Sequence, residues 1–282
     1  MKSLISYLKS RISLLSSKKL KIMLHHEISG NGKKPLVLLH GFMENTTIWE
    51  EMEAHLSKDF TLIKIDLPGH GKSKVYQEIH TVELMAEKVK EVIDALKLEK
   101  INLLGHSLGG YVSLAFAEKF PEILESMTLF FSTTVADDEE KKQIRRRSIA
   151  VIDENFETFV KTSIPNLFSN NEKDILEGKI ELAKNIAKST NKEGVKAAQL
   201  GMAERPDRTE ILENLDAKIL IIAGKYDNAV KTENLLKIIP EKTNIKTYVL
   251  DCGHNGHWEK PTICAEIINT ELLHNLPKHF LL

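Results

Sequence analysis

Six short apolar runs limit the folds open to this chain. They are residues 35–40 (PLVLLH), 60–66 (FTLIKID), 100–104 (KINLL), 127–131 (MTLFF), 218–223 (KILIIA) and 245–250 (IKTYVL). A strand with one wet face alternates apolar and polar residues. Runs that are nearly apolar throughout suit strands covered on both faces, as in a parallel sheet. Helical patterns separate them. Val82, Met85, Val89, Val92 and Leu96 recur at spacings of three and four, Thr81 stands where an N-cap belongs, and Glu83 falls in the first turn. Residues 108–120 and 261–273 read the same way. Strands alternating with helices predict a doubly wound α/β sheet. The alternation stops over 135–212, which has helical patterns and no strand-like run, with Pro165, Gly178 and Pro206 as punctuation. That stretch is too long for a plain connection and predicts a helical insertion.

Composition removes several classes. At 42% hydrophobic residues over 282, the chain can build a full core without staples. The balance of 39 Lys+Arg against 40 Asp+Glu argues against a dedicated nucleic-acid binder. No apolar run reaches the ~18–20 residues of a membrane span. The cysteines are two, Cys252 and Cys264, which excludes a disulfide scaffold and a cysteine-only zinc site and fits a reducing, cytoplasmic setting.

Residues 1–22 differ from the rest. They carry Lys2, Lys9, Arg11, Lys18, Lys19 and Lys21 and no acid, while Leu4, Leu8, Ile12 and Leu15 would share one helix face. Lys9 and Arg11 break any secretory apolar core. The composition fits an organelle transit peptide, a basic amphipathic helix in weak contact with a membrane surface, or an extension of little consequence before Met23.

The chemistry concentrates in Gly105-His106-Ser107-Leu108-Gly109-Gly110, between the KINLL strand and an apolar helix. A serine hydroxyl is a poor nucleophile until a base takes its proton. A sharp strand-to-helix turn presents it, and small residues two before and two after make that turn possible. This is the G-x-S-x-G elbow in the context it requires.

With these motifs the chain resembles the α/β-hydrolase superfamily, and within it the esterase, lipase and perhydrolase branch with a helical cap. The resemblance runs from about Leu24 to the C-terminus and rests on five motifs in order. These are His40-Gly41-Phe42, Asp66 to Ser73 (DLPGHGKS), Gly105 to Gly110, Gly224-Lys225-Tyr226-Asp227, and Gly253-His254 with Glu259 and Pro261. It implies an α/β-hydrolase fold: a mostly parallel central sheet flanked by helices, with 23–134 and 213–282 as the core and 135–212 as an inserted cap.

The site follows in the same terms. Ser107 is the expected nucleophile. Its base should be a histidine oriented by a carboxylate, in chain order Ser, acid, His. Asp227 lies just past the KILIIA strand, where sites of open parallel sheets collect. Asp251 is a rival carboxylate, placed too near the histidine loop. Where relatives often have Thr-Pro after the acid, this chain has Asn228-Ala229-Val230. His254, His257, His274 and His279 follow both Ser107 and Asp227, and His254 is the expected base. The oxyanion donors are the backbone N–H of Leu108, after the nucleophile, and, by resemblance, that of Phe42. Resemblance gives Asp66 and His70 a structural role. His106 should support the elbow rather than act as a base.

The run Lys141, Lys142, Arg145, Arg146, Arg147 follows Asp137 to Glu140. Acids first and bases later suit a helix dipole and i, i+4 pairs. The alternative is a basic face for an acidic substrate or carrier. The reading is a serine hydrolase acting on a small carboxylic ester or related acyl compound, with no metal or organic cofactor implied. Perhydrolases, carbon–carbon bond hydrolases and a menaquinone-pathway lyase share such a site, and a silent small-molecule binding protein is the rival of another class.

Overall fold

The structure is a computed structural model that describes residues 23–273. The amphipathic or transit reading of 1–22, and His274 and His279, lie outside the described residues. The strands are β1 (His26–Ser29), β2 (Lys34–Leu39), β3 (Phe60–Ile65), β4 (Ile101–His106), β5 (Leu124–Phe130), β6 (Lys218–Gly224) and β7 (Ile245–Leu250). They form one sheet in the order β1-β3-β2-β4-β5-β6-β7. Every pairing is parallel except β1 with β3, where His26 faces Ile65. The six apolar runs all became strands. The seventh, β1 (HEIS), is a half-buried edge strand too short and polar to show as an apolar run.

Alternate strand residues serve opposite faces, because side chains alternate along a strand. Val37, Leu39, Ile63, Leu103, Leu129 and Ile221 join one core. It is closed by α2 (Val82–Leu96) and α3 (Leu108–Lys119). Leu36, Leu38, Leu62, Leu104, Phe130 and Ile222 join the other. That one is closed by α1 (Glu50–Leu56) and α10 (Pro261–Leu273). Thr81 caps α2 as expected, its Oγ1 accepting from the Leu84 N–H at 3.1 Å. Lys64 is a buried charge in the mostly apolar β3, and its Nζ finds Glu53 at 2.7 Å and Glu27 at 3.5 Å beside the edge. Burying it paired avoids the cost of an isolated charge.

Between β5 and β6 the described chain forms helices only: α4 (Glu139–Ser163), α5 (Glu177–Ser189), α6 (Lys192–Glu204) and α7 (Glu210–Asn214), with short 3-10 turns among them. Asp138 caps α4 by accepting from the Lys141 N–H at 2.7 Å. Asn155 (φ −154°, ψ 82°) interrupts that helix. Gly178 does not punctuate the stretch, since it lies in the first turn of α5 with open space beside it. The remaining helices are α8 (Thr232–Lys237) and the single turn α9 (Gly256–Glu259). No helix among the described residues is long and apolar enough to cross a membrane.

The strand order places the site. The chain runs outward from β2 to β3, then crosses back to add β4 on the other side of β2. The order reverses between β2 and β4, and ligands of open α/β sheets bind outside the strand C-termini at such a point. Phe42, Ser107, Asp227 and His254 lie just past the C-terminal ends of β2, β4, β6 and β7.

Candidate active site

Strand β4 continues through Gly105 and His106, and α3 starts at Leu108, so Ser107 alone makes the turn. Its backbone sits at φ 49°, ψ −110°, a conformation L residues rarely adopt. Such strain persists only where neighbours fix it. Here the Ser107 N–H donates to Phe130 O at 3.1 Å. Its carbonyl accepts from the Gly110 N–H at 2.9 Å and from Ser132 Oγ at 2.8 Å. The flanking glycines are obligatory: a Cβ on Gly105 would meet Gly109 O at 2.1 Å, and one on Gly109 would meet Leu39 O at 2.3 Å.

Asp227 is buried past β6. Its Oδ1 accepts from the N–H groups of Ala229 (2.7 Å) and Val230 (2.8 Å), so Asn228-Ala229-Val230 supplies the loop geometry by its own backbone. Its Oδ2 lies 2.7 Å from His254 Nδ1. Asp251, the rival, is exposed and paired with Lys225 at 3.1 Å. Burial disfavours the His254 imidazolium, but the charge and hydrogen bond of Asp227, with Glu44 and Glu259, more than offset this and raise its pKa. A histidine so held has Nδ1–H donated to the carboxylate and Nε2 available as a base.

Glu259 holds the histidine loop. Its Oε2 accepts from Gly253 N–H (2.8 Å) and Ser169 N–H (3.1 Å), and its Oε1 from Asn255 N–H (3.1 Å). The His254 N–H donates to Leu167 O at 2.7 Å, which ties the loop to the helical stretch. His257 does not line the site and does not sit in a loop before a helix. It lies inside α9, fully buried against Trp49, Phe130 and Trp258. Burial and the His106 charge push its pKa well below the usual histidine value.

The loop after β2 carries a feature that sequence reasoning missed. Buried Glu44 accepts from the Gly41 N–H at 2.6 Å and lies 2.9 Å from His106 Nδ1. Burial would raise its pKa, but His106, His257 and His40 lower it to about 2. The Gly41 N–H is thus engaged by Glu44, and Phe42, the next residue, lies in the cavity wall. Leu108 N–H opens α3, where first-turn amides lack intrahelical partners. His40 and Asp66 are structural. Leu67 N–H donates to His40 Nε2 at 2.9 Å, and Asp66 accepts from Thr46 N–H, Lys72 N–H and His25 Nδ1 at 2.8–2.9 Å.

These parts meet at a cavity of ≈ 540 Å³ whose walls include Phe42, Ser107 and His254 from the sheet side. Ile144, Phe159, Leu167 and Met202 line it from the helical side. The basic run divides. Arg145 pairs with Asp137 at 2.5 Å, Lys142 with Glu139 at 2.8 Å and Arg146 with Glu204 at 2.7 Å, while Lys141 and Arg145 also reach the cavity wall. Cys252 and Cys264 are free and buried, and burial raises both thiol pKa values. Among the described residues no group of three or more His, Cys, Asp or Glu could hold a metal ion.

A family model described as alpha/beta hydrolase fold matches residues 34–261, from β2 to the first residue of α10. The chain belongs to that family. Among solved structures of this fold, a thermophilic esterase from Thermogutta terrifontis, with malate bound, superposes with a TM-score of 0.84 at 32% identity, covering 89% of this chain and 93% of that one. A 2-hydroxy-6-oxononadienedioate/2-hydroxy-6-oxononatrienedioate hydrolase from Escherichia coli is 26% identical over 257 residues, 84% of this chain and 86% of its own. An uncharacterized protein from Mycobacterium tuberculosis is 34% identical over 111 residues, and this chain spans only 32% of its length.

The buried histidines make acid sensitivity an expected property. Burial lowers the pKa of His40 against the opposing charges of Asp66 and Glu44, that of His257 with help from His106, and that of His70, beside His40, to about 3. The unfolded chain takes up these protons near pH ~6.5, the folded chain only further below. Stability present above that value is therefore lost as pH falls beneath it. Burial lowers His26 and His80 in the same direction, and the raised pKa of His254 acts oppositely. Thermal melts should show a lower Tm at pH 5 than at pH 7. An equal or higher Tm at pH 5 would show that these rings are not held neutral.

Proposed function

We propose that the chain is a serine hydrolase cleaving a carboxylic ester or a related acyl compound. One observation carries this: Ser107, on a strained elbow, shares a cavity with His254, whose Nδ1 is 2.7 Å from the buried Asp227 carboxylate. His254 Nε2 takes the Ser107 Oγ proton as the oxygen attacks the carbonyl carbon. Negative charge moves to the carbonyl oxygen, facing the N–H groups of Phe42 and Leu108. Asp227 stabilises the imidazolium that forms. The imidazolium then protonates the departing alkoxide and the acyl-enzyme remains. Water, deprotonated by His254, attacks that ester, and the collapsing intermediate releases the acid and restores Ser107 with the proton from His254.

Similarity to the thermophilic esterase favours an ester substrate. The helical stretch over 135–212 acts in this reading as a cap, because its apolar side chains form one wall of the cavity. Two free cysteines support a reducing, cytoplasmic setting. A second reading, hydrolysis of a carbon–carbon bond beside a ketone, draws on similarity to the Escherichia coli hydrolase.

A panel of p-nitrophenyl esters of graded acyl length, beside a ring-cleavage dienedioate, separates the two. The expected result is ester turnover, with dienedioate cleavage at least 100-fold slower. Efficient dienedioate cleavage with negligible ester turnover would transfer the conclusion to the second reading.

A further inference from the structure

We propose that Glu44 and His106 form a buried carboxylate–imidazolium pair that positions the loop of Gly41-Phe42 against the loop of His254 and leaves no net charge beside the reacting atoms. The kinetic half rests on the serine-hydrolase reading. The protonation half rests on geometry alone.

His106 Nε2 lies 3.0 Å from the His254 carbonyl oxygen. A carbonyl only accepts, so Nε2 carries a proton. His106 Nδ1 lies 2.9 Å from Glu44 Oε2, and that same oxygen accepts the Gly41 N–H at 2.6 Å. So short an N–H···O bond marks a charged acceptor. An ionised carboxylate cannot donate, so the proton between Glu44 and His106 sits on Nδ1. Both ring nitrogens then donate, and His106 is an imidazolium.

The surroundings leave this ring no other partner. Its neighbours are His254 (ring centroids 5.0 Å apart), His257 (4.7 Å), Phe130 (5.9 Å) and Phe131 (6.4 Å). Behind them His257 Nε2 stands 3.8 Å from Glu44 Oε1, the buried His40 ring lies near Glu44, and Asp227 holds the far side of His254. Among the described residues Glu44 is therefore the single carboxylate bonded to His106, and His106 the single ring bonded to Glu44.

The pair bridges three segments: the loop after β2, the end of β4, and the loop after β7. A change at either partner shifts the Phe42 amide relative to His254, and misplacement near 1 Å costs about 100-fold in rate. Charge matters as well. With His106 neutralised, Glu44 would stand as a bare carboxylate beside a developing oxyanion in a site of low dielectric, opposing it directly. These are positioning residues, acting through the loops they join in the cavity wall.

The test uses full-length protein with 15N-labelled histidine. His106, assigned by the resonance lost in His106→Gln, should show N–H protons on both ring nitrogens in the native protein. In Glu44→Gln it should keep the Nε2 proton and lose the Nδ1 proton, because the amide NH2 can donate instead. A single ring proton on His106 in the native protein would overturn the pair, whatever the protein hydrolyses. On the best ester of the panel, kcat should fall about tenfold in Glu44→Gln and about 100-fold in His106→Gln, with KM within about threefold. The double variant should exceed His106→Gln, because it removes the bare carboxylate. A double variant as poor as the product of the two single effects would overturn the electrostatic role.

Discussion

Ser107→Ala is expected to lower ester turnover by five to six powers of ten (~10⁵–10⁶) while leaving the fold intact. The size follows from the division of labour. Without Oγ no acyl-enzyme can form, and the base and oxyanion donors can assist only direct attack by water. What survives, about 10³–10⁴ over the uncatalysed reaction, is the share of the oxyanion donors and binding. The fold should survive because the elbow is fixed through the main chain: Ser107 N–H to Phe130 O, and the Gly110 N–H and Ser132 Oγ to Ser107 O. Alanine at φ 49° is no more strained there than serine. A fluorophosphonate probe should label the native protein at this serine and fail on the variant, while both melt at the same temperature. Persistent labelling of Ser107→Ala, or turnover within tenfold of native, would remove Ser107 from the mechanism.

The elbow was legible in the sequence because all its determinants are local. Gly105, Ser107 and Gly109 fall within five residues, and the apolar run before them announced a strand buried on both faces. Asp227 was legible from its place after KILIIA, since strand C-termini of a parallel sheet collect site residues. Glu44 was not. Its partner His106 lies 62 residues away, and only folding brings the pair within 2.9 Å. Nothing local distinguishes a buried carboxylate in such a loop from one in water. Strand β1 was hidden for another reason: an edge strand with no fully buried residue carries no apolar run to detect. Within the helical stretch, packing against the sheet decides which apolar residues face the cavity, and periodicity alone does not show that.

His254 and His257 should respond in opposite ways to removal. His254→Ala is expected to cost about as much as Ser107→Ala, because in the proposed mechanism nucleophile and base act as one unit. His257→Ala should retain turnover within about tenfold and instead lower the Tm, since it leaves a void among Trp49, Phe130 and Trp258. The backbone makes this distinction. Glu259 clamps Gly253 and Asn255, and Leu167 O accepts the His254 N–H, so His254 is held from both sides with its Nδ1 on Asp227. His257, one helical turn on, points into the core, and neither ring nitrogen has a hydrogen-bond partner among the described residues. The pH profile supplies an independent check. The base must be neutral to accept the Ser107 proton, and Asp227 raises the His254 pKa above its usual value near ~6.5. Turnover should therefore fall as pH drops through an inflection above that value, in native protein and in His257→Ala alike. An inflection that moves in His257→Ala, with loss of turnover by orders of magnitude, would assign the base to His257.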